Sequence, residues 1–137
     1  MAQQPDSRTL SMPMPQSRHL TLGLVLVRRI AGHGLNDARA AMLAMDAGGE
    51  SFRRVLVLAR TLVVDLARAS RRRIMLAPCC ACGMTRDEGL LVAMIDGGGL
   101  DVYGALSDDA RCAAPMTTAH ALGAELERIA MRNNWRS

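Results

Sequence analysis

The stretch Ser51 to Ser70, SFRRVLVLARTLVVDLARAS, decides the fold. At 100° per residue its charged side chains, Arg53, Arg54, Arg60, Asp65 and Arg68, with Arg71 just beyond, fall within an arc of about 140°. Phe52, Val55, Leu56, Leu62, Val63 and Leu66 occupy the opposite side. An apolar surface that wide belongs to a helix on which several others pack. Ser51 is its expected cap, and Arg68, Arg71, Arg72 and Arg73 at its far end suit the negative end of the helix dipole.

Towards the N-terminus, Leu20 to Ala31 reads as a helix that stops at Gly32-His33-Gly34, although Leu20, Leu22, Leu24 and Leu26 also alternate as in a strand. Asn36 is the expected cap of the next, with Asp37 in its first turn and Gly48-Gly49 as its stop. Towards the C-terminus, Ile74 to Ala77 is apolar and reads as extended because Pro78 follows. Thr85 and Glu88, three residues apart, form a capping box that opens a helix ending at Gly97-Gly98-Gly99. A shorter helix is expected from Leu100 to Leu106, and a last one from Thr118 to about Asn133 with Leu122, Leu126 and Ile129 facing inward. Half of the residues are apolar, but Phe52, Tyr103 and Trp135 are the only aromatics. A core of Leu, Val, Ile, Met and Ala favours helices over sheets. The expected fold class is therefore all-α: a compact bundle of about five or six helices around one central helix.

Residues 1–19 hold Pro5, Pro13 and Pro15 among Gln and Ser, with no apolar run, and read as a disordered leader. Residues 20–137 then form a single helical domain, long enough to bury a core without disulfide or metal staples. The run Leu20 to Val27 lacks the cleavage site of a signal peptide and is closed by Arg28 and Arg29. No apolar run approaches the roughly 20 residues of a membrane span. The expectation is a cytoplasmic protein, away from membranes, whose cysteines meet a reducing solution.

The net charge of +4 rests on 17 arginines and no lysine. A uniform preference of that kind reads as genomic composition rather than selection for a polyanion. Without a recognition helix or stacking aromatics, nucleic acid is not an expected partner. A solvated arginine face is the default reading. No Ser-His-Asp order, phosphate loop or dinucleotide fingerprint is present, so nothing points to an enzyme. Glu125 and Glu127 read as a solvated face, and Asp108-Asp109 as a loop.

The chemistry-bearing cluster is Pro78-Cys79-Cys80-Ala81-Cys82-Gly83. Cys79 and Cys82 have the C-x-x-C spacing at which a turn points two thiolates at one ion, and Cys80 or Cys112 would complete a tetrahedral zinc set. Only half of a zinc motif is visible, because no second C-x-x-C or H-x-x-H exists. Thiols just before a helix N-terminus also suit redox chemistry. A third reading is that small sulfur side chains pack a tight junction. His33, between two glycines, reads as a turn histidine bonded to backbone, and His120 as an exposed residue in the first turn of the last helix.

The segment Arg28-Arg29-Ile30-Ala31-Gly32-His33-Gly34-Leu35, then Phe52-Arg53-Arg54, Ala77-Pro78-Cys79-Cys80 and Met84-Thr85 to Glu88, resembles a family of short uncharacterised alphaproteobacterial proteins, a domain of unknown function. The resemblance covers roughly half of the chain and implies a bacterial cytoplasmic protein. It implies no activity, cofactor or catalytic residue. Two function classes follow from the residues: a small interaction or regulatory protein holding zinc at Cys79, Cys80, Cys82 and Cys112, with an unidentified protein partner, and a thiol-based redox protein using the Cys79 to Cys82 cluster.

Overall fold

The computed structural model describes residues 10–108 and 112–135, and 69% of these are helical. Six α-helices are present among them: α1 (Arg18–His33), α2 (Ala38–Gly48), α3 (Phe52–Ala69), α4 (Arg86–Ile95), α5 (Leu100–Ser107) and α6 (Ala114–Arg132). The all-α reading holds. Helices α1, α3 and α6 pack on one another, α2 lies against α1 and α3, α4 against α1 and α6, and α5 against α4. The buried residues of α3 are Val55, Leu56, Ala59, Leu62 and Leu66, a stripe at helical spacing. They join Leu24, Ile30, Leu91, Leu122, Leu126 and Ile129 in one core cluster.

The helix ends show where local rules were overridden. Asp37, not Asn36, caps α2, its carboxylate accepting from the Ala40 amide. Ser51 makes no cap bond, because a single 3-10 turn, Gly49–Ser51, feeds the chain straight into α3. Its hydroxyl instead receives a bond from Arg132. Helix α6 starts at Ala114, four residues ahead of the expected Thr118, with Pro115 in its first turn. The capping box at Thr85 and Glu88 is present with both of its hydrogen bonds.

The expected leader over 1–19 divides. Residues 1–9 lie outside the described residues, whereas 10–19 carry ordered elements. Strand β1 (Met12–Pro13) pairs antiparallel with β2 (Gly83–Met84), Met12 opposite Met84 and Pro13 opposite Gly83. Two glycines make room for it. A Cβ on Gly83 would lie 3.0 Å from the Met12 carbonyl oxygen, and one on Gly89 would collide with the Met12 sulfur. Ser17 caps α1 by accepting from the Leu20 amide, so α1 starts at Arg18, inside the expected leader. Composition alone missed this, because the segment is short and is held by pairing rather than by its own periodicity. No described helix is long and apolar enough to cross a membrane.

Candidate functional site

The cysteine cluster lies between α3 and α4, on a segment with almost no regular structure of its own. The Ala81 amide donates to the Pro78 carbonyl at 3.0 Å, closing a turn with Cys79 and Cys80 at its centre and Cys82 just past it. Such a loop needs partners for its other backbone groups, and it obtains them from a buried ion pair.

Arg28 on α1 and Glu88 on α4 are both buried to 0% side-chain exposure. Arg28 Nε donates to Glu88 Oε2 at 2.7 Å and Nη2 to Oε1 at 2.8 Å. The remaining donors reach the loop, with Nη1 bonding the Ala81 carbonyl at 3.1 Å and Nη2 the Gly83 carbonyl at 2.7 Å. The Glu88 carboxylate also accepts from the Ala77 and Thr85 amides, each at 3.0 Å. Burial pushes the Glu88 carboxyl up, but the Arg28 guanidinium and the two amides outweigh it and hold the group below the usual glutamate range. Asp87 beside it holds Arg72 and the Met75 amide, while Thr85 Oγ1 donates to the Met75 carbonyl. Arg72, expected to complement the end of α3, thus serves the start of α4.

Arg29 binds Asp37 through both carboxylate oxygens, at 3.0 and 2.9 Å, and its Nη1 lies 3.5 Å from the sulfur of Cys79. The hydrogen bond from Arg29 lowers the Asp37 carboxyl. Next to the loop lies a groove of about 480 Å³, lined among others by Arg28, His33, Arg73, Leu76, Pro78 and Cys79. The His33 ring is exposed and bonds no described residue, so the expected backbone bond is not made. His120 is half-buried rather than exposed, with Nε2 at 2.7 Å from the Gly98 carbonyl.

All four thiols are free; Cys79 is half-buried, and Cys80, Cys82 and Cys112 are exposed. Exposure of three removes packing as their explanation. Cys112 stands on the connection between α5 and α6, apart in sequence from the loop. Among the described residues, the one group of three or more metal-type donors within 4.8 Å of each other is His19, Asp96 and Glu127, and no cysteine is in it. The structure thus gathers Cys79, Cys80 and Cys82 on one turn without pointing their sulfurs at a common centre.

Sequence reasoning missed Arg28. The signal was present, since Arg28 follows Leu20 and Leu24 at four-residue spacing on the face that α1 buries. Glu125, expected on a solvated face, is buried and flanked by Arg54 and Arg128 at 3.1 and 2.9 Å.

A family of unknown function, DUF6628, matches the chain over residues 1–137. The chain belongs to DUF6628. No curated protein and no solved structure matches it. The DUF6628 match spans the Arg28–Glu88 pair, the thiol loop and both helices that anchor it.

Proposed function

We propose that this chain is a small, non-enzymatic interaction or regulatory protein of the bacterial cytoplasm, and that its working element is the thiol loop Cys79 to Cys82, which takes a thiophilic ion, zinc, from solution or from a partner protein. The observation that carries this reading is the Arg28–Glu88 pair. Burying two charges costs several kcal/mol of desolvation each, of order 5 kcal/mol, and apolar residues of like size often serve stability as well. Here the pair's spare donors end on the Ala81 and Gly83 carbonyls, fixing the backbone of a loop whose sulfurs stay at the surface. Cys80 and Cys82, being exposed, are free to rotate towards an ion held by Cys79, and Cys112 is the candidate fourth ligand.

Protein purified from zinc-replete medium without chelator is expected to carry close to one zinc per chain, and Cys79→Ser or Cys82→Ser to lose it, because a hydroxyl is a far weaker ligand for this ion than a thiolate. A zinc-free protein whose serine variants behave as the parent does would end the reading.

One contact favours a second reading, thiol redox chemistry. Arg29 Nη1 lies 3.5 Å from Cys79 Sγ, which puts a cationic donor beside the sulfur that would react. Oxidation by a peroxide or a low-molecular-weight disulfide would join two of Cys79, Cys80 and Cys82, releasing two protons and two electrons to the oxidant. Intact mass and peptide mapping after mild oxidation separate the two readings.

A further inference from the structure

His19, Asp96 and Glu127 come from the first turn of α1, the C-terminal cap of α4 and the middle of α6. The fold brings one ring nitrogen and one oxygen of each carboxylate within 4.8 Å of one another. Metal bonds of about 2.0–2.2 Å to nitrogen and oxygen place neighbouring ligand atoms roughly 3 to 4 Å apart, so a small closure completes the set. We propose that these three residues form a binding site for a divalent transition-metal ion of the manganese or ferrous type, separate from the thiol loop.

The imidazole is set up for this. His19 Nδ1 lies 3.0 Å from Ser17 Oγ, while Nε2 is buried and has no hydrogen-bond partner. A buried ring nitrogen without a partner is costly, and donation from Nδ1–H to the serine leaves the Nε2 lone pair for a ligand. An outer partner on one ring nitrogen is the usual arrangement of a metal-bound histidine.

The carboxylates make the second argument. The chain pairs its buried carboxylates, and the half-buried Asp37, with arginine: Asp37 with Arg29, Asp87 with Arg72, Glu88 with Arg28, and Glu125 with Arg54 and Arg128, while the half-buried Asp65 accepts from Thr118. Asp96 and Glu127 approach one another and the imidazole, yet neither has an ion pair or side-chain hydrogen bond to any described residue. Two like charges at that separation repel, and a divalent cation removes the repulsion. One imidazole with two carboxylates and no thiolate suits manganese or ferrous iron better than a thiophilic ion.

The frame is stiff. A Cβ on Gly23 would lie 2.8 Å from Leu126, so α1 and α6 touch closely one turn from His19 and next to Glu127. A Cβ on Gly123 would collide with the Ile95 carbonyl, so α6 and the end of α4 touch closely next to Asp96. Arg18 stacks over Trp135 with its guanidinium carbon 4.5 Å from the ring centre, fastening the start of α1 to the end of α6.

The test titrates the full chain with manganese chloride near pH 7.5, following free ion by electron paramagnetic resonance and heat by calorimetry. One ion per chain is expected, together with a raised melting temperature. Asp96 and Glu127 are exposed, so Asp96→Asn and Glu127→Gln should keep the parent circular dichroism while weakening binding about tenfold or more. Should one variant misfold, the other decides. A triple serine variant at Cys79, Cys80 and Cys82 should bind manganese as the parent does, which keeps this result independent of zinc at the loop. No manganese bound, or equal binding by the parent and both carboxylate variants, would overturn the proposal.

Discussion

Gly123 and the carbonyl oxygen of Ile95 compete for one space: a Cβ on Gly123 would overlap that oxygen, so helix α6 lies on the end of α4 with no side chain between them. Neither partner is a flexible side-chain end, so the backbones themselves would have to part. Gly123→Ala is expected to destabilise the fold by about 1–3 kcal/mol despite alanine's better helix propensity. Urea denaturation checks it, and an unchanged midpoint would mean that the two helices are farther apart.

Arg28→Ala leaves Glu88 buried without its cation and removes the bonds to Ala81 and Gly83. A loss of about 3–5 kcal/mol is expected. Arg28→Lys is also expected to lose stability, since one ammonium cannot reproduce the planar fork that reaches Glu88 and two carbonyls together. Thermal melts of both variants, with alkylation rates of the thiols, test whether the ion pair holds the loop as well as the core.

Stability should fall in acid. The carboxyls of Glu88 and Asp37 are lower in the folded chain than in the unfolded one, where they return to about 4.3 and 3.9. A lowered folded value contributes stability that is fully present above the unfolded value and lost as pH drops through the folded one. The urea midpoint is therefore expected to hold from about pH 7 to about pH 5 and to decline below about pH 4.5. Asp37→Asn should flatten part of that decline, and an identical curve would remove Asp37 as a contributor.

Thr85→Ala is expected to cost about 0.5–2 kcal/mol, from loss of the cap oxygen that accepts from the Glu88 amide. The hydroxyl also donates to the Met75 carbonyl at 2.8 Å and is buried, which places the effect in the upper half of that range. Guanidinium denaturation measures it.

Deletion of residues 1–17 is expected to lower stability, although their composition reads as a disordered leader. It removes β1 from β2, Met14 from the core and the Ser17 cap from α1. Loss of the cap by itself costs about 1 kcal/mol. A truncated chain that melts with the parent would show that β1 contributes nothing.

The helices were legible because each carries its own periodicity and stop signal: the α3 stripe, the Thr85 box and the glycines after α1, α2 and α4 speak locally. Pro115 is a readable start signal for α6, stronger than the hydroxyl of Thr118 three residues on. Convergence was not legible. Arg28 meets Glu88 sixty residues on, and His19 meets Asp96 and Glu127 where Gly23 and Gly123 let α1 and the end of α4 lie close on α6. A sequence read in windows sees His19 as a leader residue and Glu127 as surface, since nothing nearby in the chain reveals its distant neighbour.

The two amides that Glu88 holds have a consequence in time. Ala77 and Thr85 lie outside any helix, yet their N–H groups point at a buried carboxylate and not at water. They cannot exchange with solvent until α1 and α4 part. In deuterated buffer these amides are expected to persist among the slow set of helix interiors, while amides elsewhere in the segment around Pro78 exchange early. The sulfurs of Cys79, Cys80 and Cys82 thus ride on a short segment whose two ends, at Ala77 and Thr85, are held to a buried carboxylate, so its motion is confined between fixed points.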